Sequence, residues 1–381
     1  MQGYAPLRPR FADVSRIAVL RGGGLGDLLF AMPAVSALHA AYPGAEIVLL
    51  GTRGHAELLD GRPGGVDRVE PLPHAPGVHD GAGAHEDADR FLERLRREQF
   101  DLAVQLHGGG RHSNPFLLAL GPRHSVGAAT PDAVRLERTL PYVYYQHEVV
   151  RALEVVGLAG AGPVELQPSL AVRADERARS HHHVPAEAEP FAVVHPGASD
   201  VRRRWPVDRF AHVARGLLDD GLRLVIIGAA SDQPIEAALA AAVGERDGRV
   251  LRLSGRLRLG ETAAVLERAA VVVADDSGPR HLAQAVGAPT VGIFWFGNVV
   301  NAAPFDRERH RVHLSYVTAC PVCGRDVTQV GWTAERCDHD VSFVADVDPV
   351  AVLADARSLT ATSSLRTASP AVPAPRPPAA G

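Results

Sequence analysis

One carboxylate near the N-terminus, Asp27, lies in a segment suited to ligand binding. It ends the glycine-rich segment 21–27, which directly follows an aliphatic stretch at 16–20. Glycines permit sharp turns and close ligand approach, and open α/β sheets bind ligands at the carboxyl ends of their strands. Asp27 therefore lies where a ligand could bind, and N-capping of the following helix is the alternative interpretation. The glycine spacing departs from G-x-G-x-x-G, which disfavours a dinucleotide-binding dehydrogenase.

A second segment combines a carboxylate, a hydroxyl, a glycine and an imidazole in Asp276, Ser277, Gly278 and His281. It lies between an aliphatic stretch and an apolar helical pattern. The start of a helix presents free N–H groups and a positive dipole end, which bind anions such as phosphate. An ordinary capped turn between a strand and a helix is the alternative interpretation.

A third segment, 195–206, carries three successive arginines after a Pro-Gly turn, with Arg203 at their centre. Guanidinium groups bind phosphate bidentately, so this loop is a candidate phosphate clamp. The alternative is a solvated run of charges, which the position of the run after a strand and a small-residue turn makes less favourable.

All three cysteines fall close together, as Cys320, Cys323 and Cys337, and His339 follows them. C-x-x-C followed by C-x-H offers four ligands at zinc-like spacing. A structural zinc site, a reduced thiol cluster and a disulfide are the open alternatives. We expect this group to organise its segment rather than to take part in catalysis, and we expect no metal at the catalytic site.

Short aliphatic runs alternate with helical patterns along both halves of the chain. Unbroken aliphatic strands of this kind are typical of parallel sheets covered on both faces. The pattern therefore predicts an α/β protein with two doubly wound units. The predicted strands are Arg16–Leu20, Glu46–Leu50, Val66–Leu72, Leu102–Leu106, Phe191–His195, Arg223–Ile227, Arg249–Leu253, Val271–Ala274 and Thr290–Phe294. The predicted helices are Leu28–Ala41, Val207–Asp219, one from Gln233, Thr262–Arg268 and His281–Val286.

A glycine- and proline-rich stretch, 157–168, is the best linker candidate between the two units. We predict a first domain over residues 1–168 and a second over 169–357. From residue 358 to 381 the sequence is rich in Ser, Thr, Ala and Pro without a periodic apolar face, and we predict a disordered tail.

The composition narrows the function classes. The 381 residues are 46% hydrophobic with a net charge of −4, so two cores can form and nucleic acid is not an expected partner. All 40 basic side chains are arginines, which excludes Schiff-base and P-loop lysine chemistry. Because apolar runs are too short to span a bilayer and the N-terminus lacks a signal-peptide layout, we expect a cytoplasmic protein.

Taken together, the three segments resemble glycosyltransferase family 9, the heptosyltransferase-like group. The resemblance covers roughly residues 16–356, with weaker similarity around Arg111 and at His147-Glu148. The family commonly has lysine where this chain has Arg203, a change that keeps the charge. The residues that carry the resemblance are Arg21, Gly26-Asp27, Pro33, Arg203, Trp205-Pro206, Asp276-Ser277-Gly278, His281 and Gly287–Thr290.

This resemblance implies a GT-B fold, in which two Rossmann-like domains face a central cleft. It also implies an inverting transfer of a sugar, heptose being the expected one, from a nucleotide diphosphate donor to an acceptor hydroxyl, with Asp27 as the base. Asp276 is expected to orient its loop or to contact the donor sugar. The implied donor-binding residues are Arg203, Asp276, Ser277, Gly278 and His281. The implied acceptor-side residues are Arg21, Gly24, Gly26 and Arg111.

The expected partners follow from the same resemblance. They are ADP-heptose or a close relative as donor, and a glycan such as a lipopolysaccharide core sugar, or a small molecule, as acceptor. Catalysis is expected to need no cofactor, and contact with a membrane surface would be peripheral. A nucleotide-sugar epimerase of the same architecture and a non-catalytic nucleotide-sugar-binding protein remain alternatives. The presence of Asp27 argues against the second of these.

Overall fold

The structure, a computed structural model, describes residues 7–81, 87–186, 190–244, 248–328 and 335–367. It contains two six-stranded sheets, both parallel throughout and both flanked by helices. The strand order is β3-β2-β1-β4-β5-β6 in the first sheet and β12-β11-β10-β7-β8-β9 in the second. Both are the strand order of a Rossmann sheet. In each sheet the first strands are added on one side of β1 or β7 and the later strands on the other side.

The first sheet consists of β1 (Arg16–Leu20), β2 (Glu46–Gly51), β3 (Arg68–Pro71), β4 (Leu102–Gln105), β5 (His124–Ala129) and β6 (Arg138–Pro141). The helices in this half are α1 (Leu25–Ala41), α2 (Arg53–Leu59), α3 (Ala88–Arg96), α4 (Ser113–Leu118) and α5 (Glu148–Gly157). Every residue of β4 is buried, as a central parallel strand requires.

The second sheet consists of β7 (Phe191–His195), β8 (Arg223–Ile226), β9 (Val250–Arg252), β10 (Val271–Asp275), β11 (Thr290–Trp295) and β12 (His310–Ser315). The helices are α6 (Ala174–Ser180), α7 (Val207–Asp219), α8 (Gln233–Val243), α9 (Leu259–Arg268), α10 (Gly278–Ala285), α11 (Phe296–Ala302) and α12 (Pro349–Thr367). All residues of β7 and β10 are buried.

The predicted fold class is confirmed, and the central elements lie where the sequence placed them. Helix α7 has the predicted bounds, and β1 and β7 do as well. Strands β5, β6 and β12 were missed because they alternate or mix polar and small residues instead of forming an aliphatic run. The domain boundary near residue 168 stays a prediction.

The C-terminal prediction needs a correction. Helix α12 continues to Thr367, so residues 358–367 are helical rather than disordered. Val352, Ala356 and Leu359 are buried against the second domain and anchor the helix. Tertiary packing supplies the stability that the weak helical pattern did not indicate. Residues 368–381 lie outside the described residues.

The two domains meet at the N-termini of α1 and α10. A Cβ at Gly278 would lie 3.1 Å from Leu25 Cβ, and one at Gly26 would lie 3.0 Å from the His281 ring. A buried ion pair between Arg62 and Glu176, 2.6 Å apart, joins the domains farther from the cleft. Small residues at the helix ends therefore allow the close approach of the two sheets' carboxyl edges.

No helix within the described parts of the chain is long and apolar enough to span a bilayer.

Candidate active site

One cleft of about 1060 Å³ opens between the two sheets. Its first-domain wall comes from the loop after β1 and from the segment between β6 and α5. Its second-domain wall comes from the loops after β7, β8, β10 and β11. These loops follow the carboxyl ends of parallel strands, and those after β1, β7 and β10 flank the points where the strand order changes side. The cleft therefore lies where doubly wound sheets bind ligands.

Asp27 lies in the first turn of α1 and lines this cleft with a side chain that is 47% exposed. Its Oδ2 accepts a hydrogen bond of 2.8 Å from the backbone N–H of Gly24, and its Oδ1 accepts one of 2.7 Å from Arg21 Nη2. The N-cap residue is Gly24, so the expectation that Asp27 might itself be the N-cap is wrong. Asp27 closes the turn from the third helical position and still presents carboxylate surface to the cleft.

The glycine loop has a shape that side chains would prevent. Gly23 has a φ of +87°, and a Cβ there would lie 2.5 Å from Asp27 Oδ2. Gly24 and Gly26 both line the cleft, as expected for acceptor-side residues. Gly26 also packs against His281 of the opposite domain, so it serves the domain contact as well.

Two predicted acceptor-side residues are placed differently from the expectation. The Arg21 side chain is only 7% exposed and lies behind Asp27, where Nη1 donates to the Leu106 carbonyl. Arg111 is exposed, approaches Asp132 at 3.6 Å, and is not among the described side chains that line the cleft. Arg21 therefore contacts Asp27 instead of lining the cleft, and Arg111 contacts Asp132 outside the cleft lining.

Asp276 is buried on the donor side of the cleft, where it has three hydrogen-bond partners. Its Oδ1 lies 3.0 Å from His281 Nε2, and its Oδ2 accepts hydrogen bonds from Asn298 Nδ2 at 2.7 Å and Arg203 Nη1 at 3.4 Å. Burial raises the pKa of this carboxyl, but the hydrogen bond with His281 and the nearby guanidinium groups outweigh burial and hold the pKa below its usual range. Because both oxygens are engaged and the side chain is only 4% exposed, Asp276 is placed to orient the loop rather than to react.

His281 is fixed between two charged groups. Arg280 Nη2 lies 2.6 Å from His281 Nδ1 and donates to it, which leaves Nε2–H to donate to Asp276. Burial lowers the pKa of His281 to about 4, and the Arg280 charge acts in the same direction. The imidazole is therefore neutral at physiological pH, and it contributes to the wall of the cleft.

The three successive arginines have three different partners. Arg202 forms a bidentate pair with Asp200, and Arg204 donates to the Ala198 carbonyl. Arg203 is one-quarter exposed and lines the cleft, with Nη2 donating to Ser199 Oγ at 3.0 Å. Its contact with Asp276 is long, which leaves donors available for an anion.

The N-terminus of α10 faces the same space. Ser277 is its N-cap residue, and its Oγ donates to the Asp275 carbonyl at 3.0 Å. Gly278 begins the helix and lines the cleft. The first N–H groups of a helix have no partners within the helix, so this end offers donors and a positive dipole next to Arg203.

The sequence prediction assigned no role to several residues of the cleft. His195 Nδ1 lies 3.1 Å from Ser277 Oγ, and Asp232 lies 3.7 Å from the other ring nitrogen. Asn298 binds Asp276, and Glu148 lies 3.4 Å from Arg21 on the acceptor side. His195 ends β7 and Asn298 follows β11, so their positions at strand ends were the available signal.

The cysteine group forms a compact cluster. One ligand atom from each of Cys320, Cys323, Cys337 and His339 lies within 4.8 Å of the others. Ligands of one tetrahedral zinc ion lie about 3.8 Å apart when its Zn–S bonds have their usual length. All three cysteines are free thiols in the structure. Three sulfurs and one imidazole in this arrangement fit a four-coordinate metal ion.

The cluster segment also contacts the arginine loop, which the sequence did not indicate. Phe343 N–H donates to the Arg202 carbonyl at 2.7 Å, and Ser342 Oγ donates to the Arg204 carbonyl at 2.7 Å. Phe343 packs in one apolar group with Cys320 and Cys337. Residues 342–343, just after the cluster, therefore hydrogen-bond the backbone on both sides of Arg203.

Comparison with known proteins decides the family. The sequence profile of "Glycosyltransferase family 9 (heptosyltransferase)" matches residues 88–321, which is more than half of the chain. The chain belongs to glycosyltransferase family 9. Its activity class is therefore glycosyl transfer.

Relatives of this family 9 protein extend the match over most of the chain. It is 25% identical to lipooligosaccharide heptosyltransferase 2 of Haemophilus influenzae over 294 residues, which are 73% of this chain and 82% of that protein. The solved structure of the E. coli ADP-heptose lps heptosyltransferase II is similar with a TM-score of 0.70 and 19% identity, covering 92% of this chain and 99% of that one. This structural similarity confirms the GT-B fold.

A less similar solved structure is that of an iron-containing protein. The iron-containing dodecameric glycosyltransferase TibC from enterotoxigenic E. coli is similar with a TM-score of 0.54 and 14% identity, covering 94% of this chain and 81% of that one. At this identity the comparison shows a shared fold. The metal question for this chain therefore depends on its own four ligands.

Proposed function

We propose that this family 9 protein transfers heptose from ADP-heptose to an acceptor hydroxyl with inversion at the anomeric carbon. The observation that carries the proposal is the placement of Asp27 and Arg203 on opposite domains of one cleft. Inversion requires the base and the leaving group on opposite sides of the anomeric carbon. The relatives named as heptosyltransferases and the similarity to the ADP-heptose enzyme support the choice of donor.

In the proposed step, Asp27 accepts the proton of the acceptor hydroxyl. The acceptor oxygen forms a bond to the anomeric carbon while the bond between that carbon and the β-phosphate oxygen breaks. The electron pair of the broken bond leaves with ADP, so the leaving group needs no separate acid. A glycosidase, in contrast, needs two carboxylates with acid and base or nucleophile roles.

The leaving diphosphate is proposed to bind Arg203 and the first N–H groups of α10 at Gly278. Negative charge on the diphosphate grows as the glycosidic bond breaks, so fixed donors at this site stabilise the transition state more than the ground state. Asp276 keeps this wall in place through Asn298 and Arg203. The acceptor is proposed to be a glycan of the cell surface, and the cytoplasmic location stays a prediction.

Two alternatives remain for comparison. An epimerase would need acid and base groups that act on the donor sugar. On the donor side, Asp276, His195 and Asp232 all have protein partners, whereas the half-exposed carboxylate, Asp27, lies on the acceptor side. A protein that only binds nucleotide sugars would not need an accessible Asp27. Family membership favours the transferase over both.

A thermal-shift panel of nucleotide sugars and nucleoside diphosphates tests the donor. We expect ADP-heptose and ADP to raise the melting temperature, because a ligand that binds only the folded state stabilises it by about 2.7 kcal/mol at one hundred times Kd. GDP- and UDP-sugars are the matched controls and should have smaller effects. Stabilisation by a UDP-sugar alone would contradict the ADP assignment.

We further propose that Cys320, Cys323, Cys337 and His339 hold a structural zinc or iron ion. The support is the donor set and the compact arrangement of the four ligand atoms. When bound, the metal would link the two ends of the segment 320–339. The protein's own contribution is the contact of Phe343 and Ser342 with the arginine loop, so this structural site is proposed to support donor binding without entering the reaction.

Metal analysis of protein purified without added metal is expected to give about one equivalent of zinc or iron. Removing the metal with a chelator should weaken ADP binding several-fold, because metal binding and local folding are coupled. Adding the metal back should restore the ADP affinity. Calorimetry measures the ADP affinity of the protein with and without the metal. A metal-free protein with three titratable thiols and unchanged ADP affinity would make the cluster a set of reduced thiols.

A further inference from the structure

The acceptor side of the cleft contains a second carboxylate that the proposed reaction does not use. Glu148 is the first residue of α5, and its side chain is 20% exposed and lines the cleft together with Asp27. A carboxylate at this position is favoured by the helix dipole. Its side-chain contacts indicate a more specific task.

Arg21 links the two carboxylates. Its Nη2 lies 2.7 Å from Asp27 Oδ1 and 3.4 Å from Glu148 Oε2. Its Nε donates to the Asp27 carbonyl at 2.9 Å, and its Nη1 donates to the Leu106 carbonyl. These bonds fix the guanidinium plane, and the side chain is only 7% exposed, so one nitrogen serves both carboxylates in a fixed geometry.

Glu148 is held from its other side by Arg151, whose Nη1 donates to Glu148 Oε1. Arg151 is fixed in turn, since Nη2 donates to the carbonyls of Val143 at 2.6 Å and Tyr144 at 2.9 Å. Its guanidinium also stacks on Tyr142, 4.5 Å from the ring centroid. Negative and positive groups therefore alternate from Asp27 to Arg151.

We infer that Glu148 is a positioning residue that shares Arg21 with Asp27 and so preserves the basicity of Asp27. An arginine paired with one carboxylate stabilises the ionised form and weakens it as a proton acceptor. When a second carboxylate contacts the same guanidinium, each carboxylate receives less of the stabilisation. The second negative charge also repels the first. This inference rests on the proposed role of Asp27 as the base.

The other ionisable groups that face Asp27 are His55 from α2, His107 after β4 and His281 from α10. Burial lowers the pKa of all three, to about 4 for His55 and His281. Burial also raises the pKa of Tyr142, which faces Arg21 and Glu148. These groups are the same in wild type and in a Glu148 variant, so a difference between the two proteins reports the Glu148 charge.

The test is Glu148→Gln, with turnover measured across pH and ADP affinity measured by calorimetry. We expect the acidic limb of the pH–rate profile to move to lower pH by about 0.5 to 1 unit, because a nearby negative charge has been removed. Turnover at neutral pH should fall about three- to tenfold, since a weaker base transfers the proton less readily. ADP affinity should not change.

Two further variants complete the test. Glu148→Asp keeps the charge, so the acidic limb of its pH–rate profile should lie at the wild-type position. Glu154→Gln removes a carboxylate from the same helix, where it pairs with Gln146, and should leave both the limb and the turnover unchanged.

An unchanged acidic limb in Glu148→Gln would overturn the inference. A loss of turnover as large as that of Asp27→Asn would also overturn it, because Glu148 would then be the base. If Asp27→Asn keeps its turnover, the proposed function fails first, and that result does not depend on Glu148.

Discussion

Replacing Asp27 with Asn is expected to lower turnover by about 10²–10⁴-fold, the range for loss of a general base. Asn keeps an oxygen that can accept the Gly24 N–H, so the turn at the start of α1 should survive, but its amide NH2 group cannot accept the hydrogen bond that Arg21 donates to Asp27 Oδ1. It loses the charge that takes the acceptor proton. ADP affinity should stay close to that of wild type, because the proposed diphosphate site lies on the other domain. Steady-state kinetics and calorimetry on the same preparation measure both quantities.

A matched control is Asp87→Asn. Asp87 also closes a helix N-terminus in the first domain, where its Oδ1 accepts the Arg90 N–H at 2.9 Å, but it does not line the cleft. This variant should keep full turnover. Wild-type turnover in Asp27→Asn would reduce Asp27 to its role in the turn.

Arg203→Ala is expected to lower ADP affinity by about ten- to a hundredfold. A charge-assisted hydrogen bond contributes roughly 1.5–3 kcal/mol, and the Arg203 side chain lines the cleft beside the start of α10. Donor and diphosphate product should both bind more weakly, since both carry the diphosphate. Titration calorimetry with ADP measures the change without requiring an acceptor.

Two variants define what Arg203 contributes. Arg203→Lys keeps a point charge but not the planar fork, so a partial loss of affinity would show that bidentate geometry matters. Arg209→Ala removes an exposed arginine from α7 and should have no effect. Unchanged ADP affinity in Arg203→Ala would make the arginine run a solvated loop and the donor-site assignment wrong.

The sequence could predict the elements whose physical signal is local. Strands such as β7 and β10 are aliphatic throughout because both faces of a parallel sheet are covered. This aliphatic pattern by itself indicates the α/β fold class. Helix α12 shows the limit, since it is anchored by burial of Val352, Ala356 and Leu359 and not signalled by an apolar periodicity.

The candidate site divides in the same way. The sequence by itself determined that Asp27, Arg203 and the segment 276–281 follow strands, because glycines, hydroxyls and charges at strand ends are visible as residue types. It could not determine which carboxylate would be accessible. Asp276 is buried with both oxygens bound, whereas Asp27 is half exposed, and that difference arises from neighbours distant in sequence.

Only the tertiary structure decided how these residues act on one another. Arg21 meets Glu148 across 127 positions of the chain, and Phe343 meets the Arg202 backbone across the second domain. The pairing of Arg21 with Glu148 depends on the packing of α1 against α5. A linear sequence specifies the charges of these groups, but their distances, and therefore their effects on each other, exist only after the domains have packed.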